Sequence, residues 1–208
     1  MNITILLGVS AALLHGFAYF LYNRQVKSGD SIPNAASWSV WAFLSILNAA
    51  SYQGINGDWV ASLQFMMGSV ACLLTFLYVM FIGKFSKLTK KEWGFLVAGF
   101  FAVFIWYTFQ NAAYANLIVL GAFLVSAYPT FEGVLKDPNK ETPLSWKLWT
   151  IAFTLTTINL FIRDGSTIEF VTPVALLVAH GAIAWLCRPA RKMRFAQTTQ
   201  PKPDPLCL

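Results

Sequence analysis

The stretch Pro33-Asn-Ala-Ala-Ser-Trp-Ser-Val-Trp41 is followed later in the chain by the similar stretch Pro143-Leu-Ser-Trp-Lys-Leu-Trp149, and their Ser-Trp-x-x-Trp strings lie 108 positions apart. In both stretches a proline precedes the serine, and proline can begin a helix because the first helical residues need no backbone donor. An apolar run of helix length follows each string. The chain is therefore expected to contain two similar halves, in which the two strings begin equivalent helices.

Seven apolar runs account for most of the 208 residues, which are 57% hydrophobic and 12% charged. This composition is too apolar for a soluble domain of that size. Each run approaches the roughly 17–25 residues that a helix needs to cross hydrocarbon, and none alternates in the way of a membrane β-strand. We therefore expect an all-α integral membrane protein with seven transmembrane helices. The runs, in chain order, are 3–22, 37–53, 59–83, 93–109, 115–134, 145–162 and 167–187.

Basic residues predict the orientation of the chain. Fourteen of the 15 Lys and Arg residues lie after runs one, three, five or seven or around the loop before run six, and all these positions share one side of the membrane. Arg163, after run six, alone lies on the opposite side. Cytoplasmic loops carry the excess of Lys and Arg, so we expect an external N-terminus, a cytoplasmic C-terminus and a location in the plasma (inner) membrane. Membrane insertion and contact with anionic lipid then explain the net charge of +6, and no nucleic-acid partner is expected.

The repeated strings also predict how the halves are joined. Both enter the membrane from the cytoplasmic side, so runs one to three and runs five to seven share an orientation and need one inverting helix between them. The predicted parts are a first three-helix repeat at 1–83, a linker with the fourth run at 84–114, a second repeat at 115–187 and a basic, then disordered tail at 188–208. Substrate sites of proteins with parallel repeats lie between the repeats, near the membrane midplane.

This helix plan resembles the PQ-loop superfamily, which includes the SWEET sugar facilitators, lysosomal amino-acid exporters and the KDEL receptor. Pro129 stands where that family carries its Pro-Gln pair, although threonine follows it here, and Asn48 with Tyr52 is similar to the end of the second SWEET helix. The family's aromatic sugar platform is matched by Tyr52, whereas the equivalent position of the second repeat holds Leu160. The resemblance implies a small-solute transporter fold without naming the solute.

Polar and aromatic residues form a stripe along the second run and a corresponding stripe along the sixth. Their spacing of three and four residues places them on one helix face, which should face protein and not lipid. Asn and Thr at such depths either line a hydrated pocket or hydrogen-bond a neighbouring helix, and both interpretations stay open. The residues predicted to line a pocket for a small polar or aromatic solute are Trp41, Asn48, Tyr52, Gln64, Trp149, Thr156, Asn159 and Thr172, with Pro129 at an inner gate.

The remaining tryptophans are predicted to be interfacial anchors, because tryptophan is enriched where a helix meets the membrane surface. None of them is therefore assigned to solute binding. These residues are Trp38, Trp59, Trp93, Trp106, Trp146 and Trp185.

His15 in the first run and His180 in the seventh are predicted to lie at similar depths. Intramembrane histidines are uncommon and titrate near neutral pH, so the pair could couple transport to protons. The alternative is that each ring hydrogen-bonds a facing group while the glycine after it allows close helix contact. Two ligands make a poor metal site, because tetrahedral coordination ordinarily uses three or four protein groups.

Charged residues near the runs have simpler interpretations. Glu132 precedes Lys136 by one helical turn and is predicted to pair with it. Asp58, Arg163 and Glu169 are predicted to cap helices at the outer membrane surface and to face water.

Enzyme function is disfavoured, because no run carries clustered histidines and acids, and no phosphate-binding glycine loop occurs in the sequence. No cofactor is expected. The preferred prediction is a small-solute transporter of the lipid bilayer, passive or proton-linked. The alternative is a non-transporting receptor or assembly subunit that holds a partner or lipid with the same bundle, and a homo-oligomer is compatible with either.

Overall fold

Six long helices make up most of the described chain. The computed structural model describes residues 2–85, 87, 89–90, 93–94, 97 and 111–189. Within these ranges regular structure is helical and no strand occurs, which confirms the all-α prediction. Most of the predicted fourth run at 93–109, with Trp106, and the tail after residue 189 lie outside the described residues. The helices are α1 (Ile3–Ser28), α2 (Ala35–Asn56), α3 (Trp59–Phe81), α4 (Ala112–Lys136), α5 (Pro143–Ile162) and α6 (Thr167–Leu186), with a 3₁₀ turn at Pro138–Lys140.

The surface and composition of these helices indicate a membrane protein. Four of them, α1, α3, α4 and α6, are long and apolar enough to cross a membrane. Large apolar side chains cover the outside of the bundle, and Leu13, Phe17 and Val178 are each more than half exposed. Polar side chains are buried instead, and Gln64 and Asn116 are each 1% exposed. This distribution reverses that of a soluble protein and suits a protein surrounded by lipid.

Local capping explains where the helices begin and end. Asn34, Asp58 and Asn111 each use a side-chain oxygen to accept a hydrogen bond from the first turn of the following helix. Gly29 ends α1 in the left-handed conformation, with φ at 85°, which glycine adopts without steric cost. Helix α1 therefore does not end at residue 22, as predicted, but continues to Ser28. The added residues 23–28 are mostly polar.

Helix packing brings two groups of three helices together. In the first group α3 packs against both α1 and α2, and in the second α6 packs mainly against α5 and less against α4. Between the groups, α1 packs against α5 and α2 packs against α4. The interface between the groups is therefore built chiefly by α1, α2, α4 and α5, and it includes both helices that carry the predicted polar stripes.

Gly8 marks a close approach between α1 and α3. A β-carbon at this position would lie 2.8 Å from the backbone oxygen of Val60 and 2.7 Å from a methyl carbon of the same residue. We expect Gly8→Ala to lower the free energy of unfolding by about 1–3 kcal/mol, because the two helices must separate to admit the methyl group. Equilibrium unfolding in mixed micelles of a mild detergent and dodecyl sulfate measures this change.

Gly121→Ala on α4 is the matched control for this prediction. No atom lies within 4 Å of a β-carbon built at Gly121, so the new methyl group meets open space. Alanine should then be neutral or should stabilise the helix by up to about 1 kcal/mol. Equal losses at the two positions would contradict the close packing of α1 on α3.

Candidate functional site

A cavity walled by aromatic rings lies between the two helix groups. This cavity, the aromatic chamber, has a volume of about 40 Å³ and is lined by side chains from all six helices. Its rings contact one another, and the ring centre of Trp149 lies 4.8 Å from that of Tyr19 and 5.1 Å from that of Trp146. The lining residues are Tyr19, Trp38, Trp41, Cys72, Phe123, Leu124, Ala127, Trp146, Trp149, Leu176, Ala179, His180 and Ile183.

Trp38 and Trp146 belong to this chamber, so the prediction that they are interfacial anchors is wrong. Only 2% of the first and 1% of the second are exposed. Each precedes Trp41 or Trp149 by three residues, nearly one helical turn, so the helix face that buries the second tryptophan also buries the first. A tryptophan that anchors a helix at the membrane surface must be exposed. Three of the described tryptophans are 58–68% exposed: Trp59, Trp93 and Trp185.

The four chamber tryptophans differ in how their indole N–H groups are used. Trp41 Nε1 donates to the backbone oxygen of Phe123 at 3.3 Å, and Trp146 Nε1 donates to a buried carboxylate oxygen at 3.1 Å. Trp38 and Trp149 are each 2% exposed, but the Nε1 atom of each lacks a hydrogen-bond partner among the described residues. A buried donor without an acceptor costs free energy, so the Trp149 N–H lowers the stability of this packing.

A second cavity of about 40 Å³, the polar cavity, adjoins the aromatic chamber. Gly68 leaves room for a histidine in its wall, because a β-carbon there would lie 2.8 Å from His15 Nε2. The residues that line both cavities are Tyr19, Phe123, Leu176 and His180. The residues that line the polar cavity alone are His15, Ser45, Asn48, Phe65, Gly68, Ser69 and Phe153.

Hydrogen bonds beside the polar cavity link α1, α3 and α5. The Gln64 amide nitrogen donates to His15 Nδ1 at 3.0 Å, and the Thr156 hydroxyl donates to Gln64 Oε1. His180 Nδ1 faces the backbone oxygen of Leu176 at 2.6 Å, so this nitrogen carries the proton and donates it. Each histidine thus makes a hydrogen bond, as the packing interpretation expects. Both histidines also line the polar cavity, and the proton-coupling prediction requires them to lie close together.

Asn116 on α4 is the centre of a second hydrogen-bonded cluster, which was not predicted. Its amide nitrogen donates to Asn48 Oδ1 and to Ser51 Oγ, both at 3.0 Å. Its Oδ1 accepts a hydrogen bond from the Thr172 hydroxyl at 2.5 Å, so the cluster links α2, α4 and α6. Asn116 is the second residue of the predicted fifth run, where its sequence neighbours do not distinguish a buried amide from one at the membrane surface.

At one end of the bundle, the Arg163 end, polar contacts join the two helix groups. The Arg163 guanidinium contacts Asp58 Oδ2 at 3.3 Å and also the Glu169 carboxylate. Tyr52 is fully buried and donates its hydroxyl to the backbone oxygen of Glu169 at 3.2 Å. Asp58 caps α3 and Glu169 forms a capping box at the start of α6, so the capping prediction is confirmed for both. The prediction that Glu169 faces water is wrong, since its residue is 8% exposed and Arg163 compensates its charge.

The opposite end, the Glu141 end, is closed by contacts between the segment before α5 and the region around the end of α1. Glu141 is 1% exposed and accepts a hydrogen bond from the Tyr22 hydroxyl at 2.8 Å. The backbone nitrogen of Ile32 donates to the backbone oxygen of Lys140 at 2.7 Å. Pro129, the predicted gate residue, lines a cavity of about 30 Å³ beside Glu141. Burial of Glu141 was not predicted, because a glutamate next to a lysine in a loop is ordinarily solvated.

All eight residues predicted to line a pocket are buried, which confirms that the polar stripes face the interior. Three of them line the two cavities, namely Trp41, Asn48 and Trp149. Three others lie in the neighbouring hydrogen-bonded clusters, namely Gln64, Thr156 and Thr172. Tyr52 packs on Phe65 outside both linings, with ring centres 4.1 Å apart. Asn159 is also outside them, and its Oδ1 lacks a hydrogen-bond partner within the described part of the chain.

The predicted pair of Glu132 and Lys136 is confirmed, with Oε1 and Nζ 2.9 Å apart. Among the residues that the structure describes, no group of three or more His, Cys, Asp or Glu side chains is placed to hold a metal ion. Comparisons with protein-family models, with curated proteins and with solved structures find no match to this chain.

Proposed function

We propose that this protein is a small-solute membrane transporter, passive or proton-linked, whose solute passes through the aromatic chamber and the polar cavity. The observation that carries the proposal is this pair of adjoining cavities, which both helix groups line and which contacts between the groups close at either end. Such a site holds a small molecule away from both membrane surfaces, as a transporter requires.

We further propose the seven-helix plan of two parallel repeats, in which the run at 93–109 supplies the inverting helix and the PQ-loop resemblance reflects a transport fold. Helix contacts support the equivalence of the halves: α1 packs against α5 as α4 packs against α2, and α3 packs against α2 as α6 packs against α5. Residues 108 positions apart support it too. Trp41 and Trp149 both line the aromatic chamber, and Gln64 and Thr172 both join hydrogen-bonded clusters between helices.

The proposed orientation places the Glu141 end in the cytoplasm and the Arg163 end outside the plasma membrane. Two basic segments meet at the Glu141 end, because Ile32, which follows α1, bonds to Lys140 before α5. Arg163 at the opposite end is matched by carboxylates and leaves no basic excess there. This difference agrees with the rule that cytoplasmic loops carry the positive charge.

Transport in this scheme alternates between opening of the two ends. Contacts between the helix groups hold each end closed, so rocking of one group against the other can open one end at a time. Pro129 lies within α4 next to the Glu141 end, and its missing backbone N–H weakens the helix there. A bend at this position is the proposed inner gate.

Solute exchange in proteoliposomes tests the proposal. A metabolite panel is first screened by thermal shift in detergent, because a solute that binds the folded protein raises its melting temperature. We expect at least one binding solute to show saturable exchange across liposomes that contain the protein, and none across empty liposomes. Saturable binding without exchange of any bound solute would contradict transport and favour the non-transporting receptor.

Thr156→Val should slow this exchange about tenfold, because it leaves the buried Gln64 Oε1 without its donor beside the polar cavity. Thr157→Val is the matched control, since the Thr157 hydroxyl bonds to the Phe153 backbone oxygen of its own helix at 2.8 Å. Its rate should stay close to that of the unmodified protein. Equal rates for the two variants would exclude the Gln64 cluster from the transport path.

A further inference from the structure

We infer that the polar cavity binds water, as one molecule or a short chain, and that this water bridges the two helix groups. Three side chains of the cavity wall carry the inference: His15 on α1, Asn48 on α2 and His180 on α6. The first two belong to one helix group and the third belongs to the other. The inference does not depend on transport, because a receptor with the same cavity would bind the same water.

The volume of the polar cavity fits water. It is about 40 Å³, whereas one ordered water molecule needs roughly 10–15 Å³ on the same measure. The cavity therefore has room for roughly one to three water molecules. An apolar cavity that holds a benzene molecule has a volume of about 150 Å³, so in this conformation the polar cavity is too small for a ring compound.

Three polar atoms of the cavity wall are left without a partner in the described part of the chain. Side-chain hydrogen bonds use His15 Nδ1, Asn48 Oδ1 and His180 Nδ1, and they leave His15 Nε2, Asn48 Nδ2 and His180 Nε2. None of these three is among the fully buried polar atoms that lack a partner, so each keeps some accessible surface. His15 Nε2 also lies beside Gly68, another residue of the wall. These atoms are therefore within reach of a molecule in the cavity.

The donors and acceptors among these atoms match those of water. His15 Nδ1 accepts a hydrogen bond, so the neutral ring carries its proton on Nε2, which is a donor. Asn48 Nδ2 is a second donor. His180 Nδ1 donates, which leaves its Nε2 as an acceptor. Water accepts from both donors and donates to the acceptor, and a buried water molecule typically makes about three hydrogen bonds.

An empty cavity and a bound cation both fit this wall less well. Without water the three polar groups would stay unpaired inside the bundle, which costs free energy, and cavities that do stay empty are apolar. A cation would meet no carboxylate, since no Asp or Glu occurs among the described residues that line the polar cavity. The two donors would also repel it.

Hydroxyl-radical footprinting by X-ray radiolysis tests the inference, because the radicals form from water and attack the nearest side chains. Phe153 is 2% exposed and lines the polar cavity, whereas Tyr22 is fully buried and lines neither cavity. Tyrosine is the more reactive ring, which makes Tyr22 a stringent control. We expect mass spectrometry of the purified protein to show Phe153 oxidised several times faster than Tyr22. Oxidation of Phe153 no faster than that of Tyr22 would overturn the inference.

Ser69→Val assigns the signal to the polar cavity. Ser69 lines this cavity and its hydroxyl bonds to the Met66 backbone oxygen of its own helix at 2.8 Å, so valine fills room for water and removes only a bond within α3. The oxidation of Phe153 should fall several-fold. Ser39→Val is the matched control and should leave this oxidation unchanged, since Ser39 lines neither cavity and its hydroxyl bonds to the Ala35 oxygen within α2 at 2.7 Å.

Equal oxidation of Phe153 in the two serine variants would contradict water in the polar cavity. The comparison of Phe153 with Tyr22 in the unmodified protein decides the question even where a variant does not fold. Neither measurement uses a solute, so the result is independent of solute exchange in proteoliposomes.

Discussion

Arg163→Gln is expected to lower the free energy of unfolding by about 2–4 kcal/mol. The guanidinium lies between Asp58 and Glu169, and only 18% of the Arg163 side chain and 10% of the Glu169 side chain are exposed. Removal of one partner from a buried ion pair costs about 3–5 kcal/mol, because the other charge stays buried without compensation. The expected loss is somewhat smaller here, since the Asp58 side chain is 42% exposed and water screens its charge.

Equilibrium unfolding in mixed micelles measures the change, and the chain offers a matched control. Lys136→Gln removes the cation of the pair with Glu132 within α4, and the Lys136 side chain is 71% exposed, so its loss should cost no more than about 0.5 kcal/mol. The double variant Arg163→Gln with Glu169→Gln should recover part of the loss, because it leaves no buried carboxylate unpaired. Similar small losses for Arg163→Gln and Lys136→Gln would contradict the buried ion pair.

Periodicity and length were sufficient to predict the helices and their buried faces. The polar stripe through Trp41 and Asn48 is too polar for lipid, and its spacing of three and four residues leaves only the protein interior for it. The same reasoning placed Trp149 and Thr156, and all four residues are buried. Such predictions succeed because they depend on one helix and its solvent, and need no knowledge of which helix lies opposite.

Residues whose environment depends on a distant segment could not be placed in this way. Trp146 begins its helix, as an interfacial anchor would, but Glu141 accepts its N–H and other rings cover its faces. Glu141 is itself buried because Tyr22, 119 positions away in the chain, donates to its carboxylate. These partners are set by the docking of the two helix groups. A single sequence carries no local signal for that docking.

Asn116 is the clearest case of such a residue, and its replacement is the second large effect that we expect. Asn116→Ala removes three hydrogen bonds between helices, to Asn48, Ser51 and Thr172. Hydrogen bonds between transmembrane helices are worth about 0.6–2 kcal/mol each, and their loss leaves buried groups unpaired. The free energy of unfolding should therefore fall by about 2–4 kcal/mol, measured in the same mixed micelles.

Asn159→Ala separates the hydrogen bonds of Asn116 from the simple loss of side-chain volume. The two asparagines are 1% and 3% exposed, so truncation to alanine leaves comparable cavities. Asn159 Oδ1, however, has no hydrogen-bond partner among the described residues, and its removal relieves a buried unpaired acceptor. We expect Asn159→Ala to cost at most about 1 kcal/mol. If it destabilises the protein as much as Asn116→Ala does, the cluster around Asn116 does not hold α2, α4 and α6 together, because cavity formation alone would then account for both losses.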